Sequence, residues 1–291
     1  GDFHLAGQWF PKLGVFEGER GWSCHQFHAD SEFYADFGSY RLAVTVPSGW
    51  VVAASGVELG RETGGDGRDT LRFRADRVHD VAWCAAPPEL MDVVESDFEP
   101  GRDVPQVWLD RAVNTLGLSA ASLELPPTRL RLLLPRTRLG SAERNLDATR
   151  LGLAWHGLWY GPYPYPQLTV VVPPFAADEA GGMEYPTIVF SEVNRYTVAH
   201  EIAHQWWYGV VGNDQYAEPW LDESLATWSE ELPWEAWVGC SSYAFPGSAR
   251  LTNDMGYWGD HPAQYDVVYD GGGCMLANLA RRFGYEMGEG V

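Results

Sequence analysis

The chain has 291 residues, 40 acidic and 20 basic, for a formal net charge of −20. That balance excludes nucleic acid as a partner, because phosphate binding needs an excess of Lys and Arg. It also opposes adhesion to an anionic membrane. Apolar residues at 45% and charged residues at 21% permit a packed core and exclude global disorder.

The length suits one large or two ordinary domains. No stretch approaches about 18 consecutive apolar residues, so no membrane-spanning helix is expected. The opening, Gly1 to Phe10, has no basic segment leading into an apolar run and does not read as a signal peptide. The chain stops soon after an apparent helix at Arg281-Arg282, and both ends read as cut. Cys24, Cys84, Cys240 and Cys274 are far apart and form no metal-binding spacing. They read as buried free thiols, with a Cys24–Cys84 disulfide as the alternative.

The first hundred residues read as short strands. Ser39–Val46 alternates and stops at the turn signal Pro47-Ser48-Gly49. Trp50–Ala54 follows. A polar hairpin loop, Glu62–Asp69, leads into Thr70–Arg74, and Val78–Ala85 reads as a further strand. These predict a sandwich-like unit. Composition shifts near Ser96–Arg102. A helical pattern then runs through Val107, Ala112, Val113, Leu116 and Leu118. Leu130–Leu134 is a strand, Asn145–Tyr160 an amphipathic helix, and Leu168–Val172 and Thr187–Phe190 are strands. From Asn194 onward helices dominate. The expected class is α+β, with a β unit over residues 1–97 and a catalytic unit over 98–291.

His200-Glu201-Ile202-Ala203-His204 carries the strongest chemical signal. It lies in Val198–Tyr208, a segment expected to be helical up to Tyr208. Histidines four apart share one helix face, and both rings can reach one metal ion. Zinc accepts imidazole nitrogen readily. A Glu beside the first His can sit next to an attacking water, where a general base is needed. A solvated helix face is the competing explanation. Ile202, Ala203, Trp206, Trp207 and Val210 argue for burial instead, and buried His and Glu need partners.

A second helix is expected from Trp220, with Leu225, Trp228 and Leu232 on its apolar face. Glu223, after 18 intervening residues, would lie in its first turn. Two imidazoles and one carboxylate leave a fourth zinc position open, the pattern of a catalytic site.

HEIAHQWW, then Glu223 within WLDES, resembles the M1 family of zinc aminopeptidases. Gly181-Gly182-Met183-Glu184 resembles that family's Gly-x-Met-Glu-Asn exopeptidase motif, with Tyr185 in place of Asn. Tyr269-Asp270-Gly271-Gly272 resembles its Tyr-Glu/Asp-Lys-Gly segment, with glycine in place of Lys. Ser224 stands where Gly is common. Trp9-Phe10-Pro11 and Val44 through Gly56 resemble the later part of the family's N-terminal β domain.

The resemblance implies a thermolysin-like catalytic domain and one zinc ion held by His200, His204 and Glu223. It implies Glu201 as general base, Tyr269 as hydrogen-bond donor to the oxyanion, and Glu184 as partner of a peptide's free α-amino group. Gly181, Gly182 and Met183 would run beside the substrate. The implied activity is release of N-terminal residues from peptides. An endopeptidase, another amide or epoxide hydrolase, and a non-catalytic metal-stabilised binding domain remain as alternatives.

Overall fold

The computed structural model describes residues 2–25, 34–234, 246 and 249–283. Cys240 lies outside them. In chain order the strands are β1 (His4–Ala6), β2 (Val15–Phe16), β3 (Trp22–Ser23), β4 (Gly38–Pro47), β5 (Val51–Ala54), β6 (Val57–Thr63), β7 (Arg68–Val78), β8 (Trp83–Ala86), β9 (Met91–Phe98), β10 (Thr128–Pro135), β11 (Gln167–Val171) and β12 (Ile188–Phe190). The α-helices are α1 (Pro100–Asp103), α2 (Gln106–Leu116), α3 (Ala142–Tyr160), α4 (Arg195–Ala203), α5 (Pro219–Glu230), α6 (Met255–Asp260) and α7 (Gly272–Arg282). By internal contact the chain divides into two units, Gly1–Pro11 with Phe37–Gln205, and Lys12–Asp36 with Trp206–Val291.

In the first unit, β4, β7 and β6 form an antiparallel sheet in that order, and β1, β8 and β5 form another. Alternation explains β4: Leu42, Val44 and Val46 are buried while Arg41, Ala43 and Thr45 are exposed. The expected strand Val78–Ala85 is interrupted instead. The Val81 amide donates to the Asp80 carboxylate at 2.7 Å and the Ala82 amide to the Ser55 hydroxyl at 3.0 Å. Side chains thus take the amides that a ladder would use, and β8 begins at Trp83.

A four-stranded mixed sheet runs β12-β11-β10-β9, parallel except at β9. β11 and β12 are buried throughout, and β10 is buried except at Arg129, as a sheet covered on both faces requires. The edge strand β9 runs from Met91 into the composition shift at Ser96–Arg102. α3 is the crossover between β10 and β11. It is less one-sided than its sequence suggests, with eleven residues buried from Asn145 to Leu158. One core gathers Ala53, Cys84, Met91, Leu133, Val171, Tyr185, Ile188 and Phe190.

The second unit joins the β2–β3 ladder to the helices from α5 onward. Met255, Trp258, Val267 and Val268 form its buried core, with Tyr216, Trp220, Tyr265 and Tyr269 packed around them. α5 lies against α7, which starts with two glycines. A Cβ on Gly272 would collide with the Ser224 hydroxyl, and one on Gly273 would sit 3.2 Å from the Thr227 methyl. Glycine there lets the helices meet closely. Cys274 is disulfide-bonded, which corrects the free-thiol expectation for that residue. Cys24 and Cys84 are free, so the alternative Cys24–Cys84 bond is not made. Among the described residues, no helix is long and apolar enough to cross a membrane.

Candidate metal centre

In the first unit, α4 leaves the end of β12 through a short turn. The Asn194 side chain caps the helix by accepting from the Tyr196 amide at 3.1 Å. His200 lies in its last turn and His204 at its C-cap. The expected helix to Tyr208 therefore ends at Ala203. The Gln205 amide bonds back to the Ile202 carbonyl at 3.0 Å, tightening the last turn, and Tyr208 adopts φ of 127°. Trp206 and Trp207 prolong the apolar run because they pack, not because they continue the helix.

The one-turn spacing brings the two histidine Nε2 atoms to 3.0 Å, with ring centroids 4.7 Å apart. His204 is 1% exposed and Glu201 is 3% exposed. An ion 2.0–2.1 Å from each nitrogen in tetrahedral coordination would set the nitrogens about 3.3 Å apart. The observed pair needs only a small adjustment to hold zinc, and imidazole nitrogen is a donor that zinc favours.

Gly181-Gly182-Met183-Glu184 sits in the same unit. The Gly182 and Met183 amides donate to the Phe190 carbonyl at 2.7 and 3.0 Å, and the Phe190 amide returns to the Met183 carbonyl at 2.8 Å. The segment thereby lies antiparallel along β12. The Gly181 amide donates to the Asp178 carbonyl at 2.9 Å. All three amides and the Met183 carbonyl are used within the chain, so the Gly181 and Gly182 carbonyls carry the segment's remaining hydrogen-bonding capacity. Gly182 adopts φ of 85°, and a Cβ there would lie 3.8 Å from Glu201 Oε1. A left-handed turn beside the proposed general base thus selects glycine. A Glu184 carboxylate oxygen lies within 4.8 Å of a His204 ring nitrogen, and Glu184 is 3% exposed. Tyr185, which departs from the family motif, turns into the core. Its ring meets Phe190 edge-on at 6.2 Å.

In the second unit, α5 begins at Pro219, so Glu223 lies in its second turn and Asp222 in its first. Of the expected apolar face, Leu225 and Trp228 are half-buried, and Leu232, just beyond α5, is buried. The buried positions within α5 are Pro219, Asp222, Glu223, Ser224, Ala226 and Ser229. Small and polar residues line this face because it meets α7 closely. The Ser224 hydroxyl donates to the Val268 carbonyl at 2.5 Å. Val268 precedes Tyr269 in a π-helical turn, Val267–Gly271. Such turns recur at functional sites. Tyr269 is half-buried, its ring 5.4 Å from Tyr265 in edge-on geometry.

Sequence reasoning passed over Gln205 and noted Ser224 only as a departure from glycine. A polar residue inside the apolar run that follows His204 was the available signal, because a buried amide requires partners.

No family model matches the chain. Aminopeptidase M1-C of Oryza sativa subsp. japonica is 35% identical over 131 residues, covering 35% of this chain and 15% of the relative. Aminopeptidase M1 of Arabidopsis thaliana is 32% identical over 166 residues, covering 46% of this chain and 18% of the relative. The chain thus spans under a fifth of the length of either relative. A crystal structure of an M1 zinc metallopeptidase mutant from Deinococcus radiodurans, bound to a Tyr-Ser-Ala substrate, matches with a TM-score of 0.53 and 18% identity. It covers 96% of this chain and 58% of that one, and it shares the mixed helix-and-strand fold. The resemblance to M1 aminopeptidases carried by the motifs is therefore present in sequence beyond those motifs.

Proposed function

We propose that this chain carries the active site of a zinc-dependent aminopeptidase, a peptide-bond hydrolase that releases N-terminal residues. The single observation that carries the reading is the paired Nε2 atoms of His200 and His204, 3.0 Å apart, with the buried Glu201 between them in sequence. Similarity to the plant aminopeptidases supports it. The finer architecture is a thermolysin-like catalytic domain over residues 98–291, preceded by part of a β-sandwich-like domain over residues 1–97. The parallel strands β10, β11 and β12 leading into α4 support it, while β9 spans the proposed boundary.

His200, His204 and Glu223 would hold the zinc ion, which supplies Lewis-acid polarisation of the scissile carbonyl and of the attacking water. Glu201 takes a proton from that water on its carboxylate and passes it to the leaving amine nitrogen. The Tyr269 hydroxyl donates a hydrogen bond to the oxygen that gains negative charge. The Glu184 carboxylate accepts hydrogen bonds from the substrate's α-ammonium group. Burial strengthens that pairing, since water screens it less. The carbonyls of Gly181 and Gly182 line the path of the first peptide unit.

The test is Glu201→Gln. The variant is expected to retain about one zinc per chain while peptide hydrolysis falls by roughly 10²–10⁴. Retained hydrolysis would remove Glu201 from its role. Zinc absent from the wild-type chain after loading would remove the metal centre.

A further inference from the structure

Gln205 directly follows the second histidine and is 0% exposed. Its side chain does not point along α4. It reaches across to the segment that carries Glu184. Oε1 accepts from the Thr187 amide at 2.8 Å, and Nε2 donates to the carbonyls of Glu184 and Tyr185 at 3.2 and 3.3 Å. Three different backbone groups fix the orientation of the amide, because only its nitrogen can donate and only its oxygen can accept.

The backbone it holds is not one that the local sequence would choose. Thr187 adopts φ of 69°, a left-handed conformation rare for a β-branched residue. A second bond supports it, from the Gly56 amide to the Thr187 hydroxyl at 2.5 Å. Conformations of this kind persist only when the surroundings over-determine them, and they gather at functional sites. The turn at Thr187 is what returns the chain from Glu184 into β12. Its geometry therefore sets how far the Glu184 carboxylate stands from the end of α4.

We propose that Gln205 is a positioning residue for recognition of the substrate amine. It ties the backbone of Glu184 to the helix end that bears His204, so that the ammonium-binding carboxylate and the histidines keep one fixed spacing. The inference rests on the aminopeptidase reading. Gln205 touches neither substrate nor metal in this role. It acts through Glu184.

The experiment compares the zinc-loaded wild-type chain with Gln205→Glu, which keeps the shape but loses both donors, and with the milder Gln205→Asn. Zinc content and amide hydrogen exchange at Thr187 are measured in each. Binding of L-leucinamide and of N-acetyl-L-leucinamide is measured by calorimetry, and KM and kcat are measured on a free tripeptide.

Both variants are expected to keep their zinc, and Thr187 exchange should accelerate. The preference for the free amine should fall roughly tenfold in Gln205→Glu, with KM rising and kcat changing little. Gln205→Asn should fall between that variant and wild type. A zinc-loaded variant that exchanges faster at Thr187 yet keeps the full free-amine preference would overturn the inference and leave the aminopeptidase reading standing. A wild-type chain that binds the two amides equally would overturn that reading, and the inference with it.

Discussion

The Nε2 atoms of His200 and His204 lie 3.0 Å apart at the C-terminal end of α4. Two neutral imidazoles reach that distance either by sharing a proton or by sharing a cation. Replacing one ring removes half of the pair, so His200→Ala and His204→Ala should each lose metal. Metal analysis after dialysis is expected to read about one zinc in wild type and less than roughly a tenth in either variant. Full zinc in both variants would detach the pair from the metal.

Tyr269→Phe removes one hydroxyl from the π-helical turn and leaves the ring in its packing. If that hydroxyl donates to the oxyanion, kcat should fall by roughly 10²–10³ while KM stays within a few-fold. A fall confined to KM would make Tyr269 a binding residue.

Ser224 and Gly272 share one space between α5 and α7. Gly272→Ala should destabilise the chain by about 1–3 kcal/mol, because the added methyl meets the Ser224 hydroxyl. Ser224→Gly should rescue part of that loss, although it gives up the bond to Val268. A denaturation cycle over the two positions should return a coupling of at least about 1 kcal/mol. Additive effects would contradict the close packing.

Burial pushes the Cys84 thiol up to about 12 from 9.0. A thiol with a raised folded-state pKa keeps its proton in the native chain, and the thiolate is the reactive form. Iodoacetamide at pH 8 should label the exposed Cys24 and spare Cys84 until denaturant is added. The same shift stabilises the fold fully below the ordinary thiol pKa. That contribution is lost as pH rises from about 9 towards 12. Rapid native labelling of Cys84 would contradict its burial.

Local pattern explains why β4, β10 and α2 were legible in the sequence: each has the alternation, apolar run or helical spacing of its own class. The histidine pair was equally legible, because four-residue spacing on a helix is a local property. What escaped was set by tertiary partners. Past the end of α4, Gln205 turns to the Glu184 loop, a tertiary contact marked locally only by one polar residue inside an apolar run. The buried face of α5 is polar because glycines on α7 admit close contact. The strand expected at Val78 is cut short by Asp80 and Ser55, whose side chains take its amides. Tyr185 reads as a change at the amine site, yet its ring lies in the core beside Phe190.

The most direct measurement is mass spectrometry of one pentapeptide incubated with the zinc-loaded chain, with its N-terminus either free or acetylated. The account predicts stepwise loss of single residues from the free N-terminus and no cleavage of the acetylated peptide. Equal cleavage of both, or cuts at internal bonds, would contradict it.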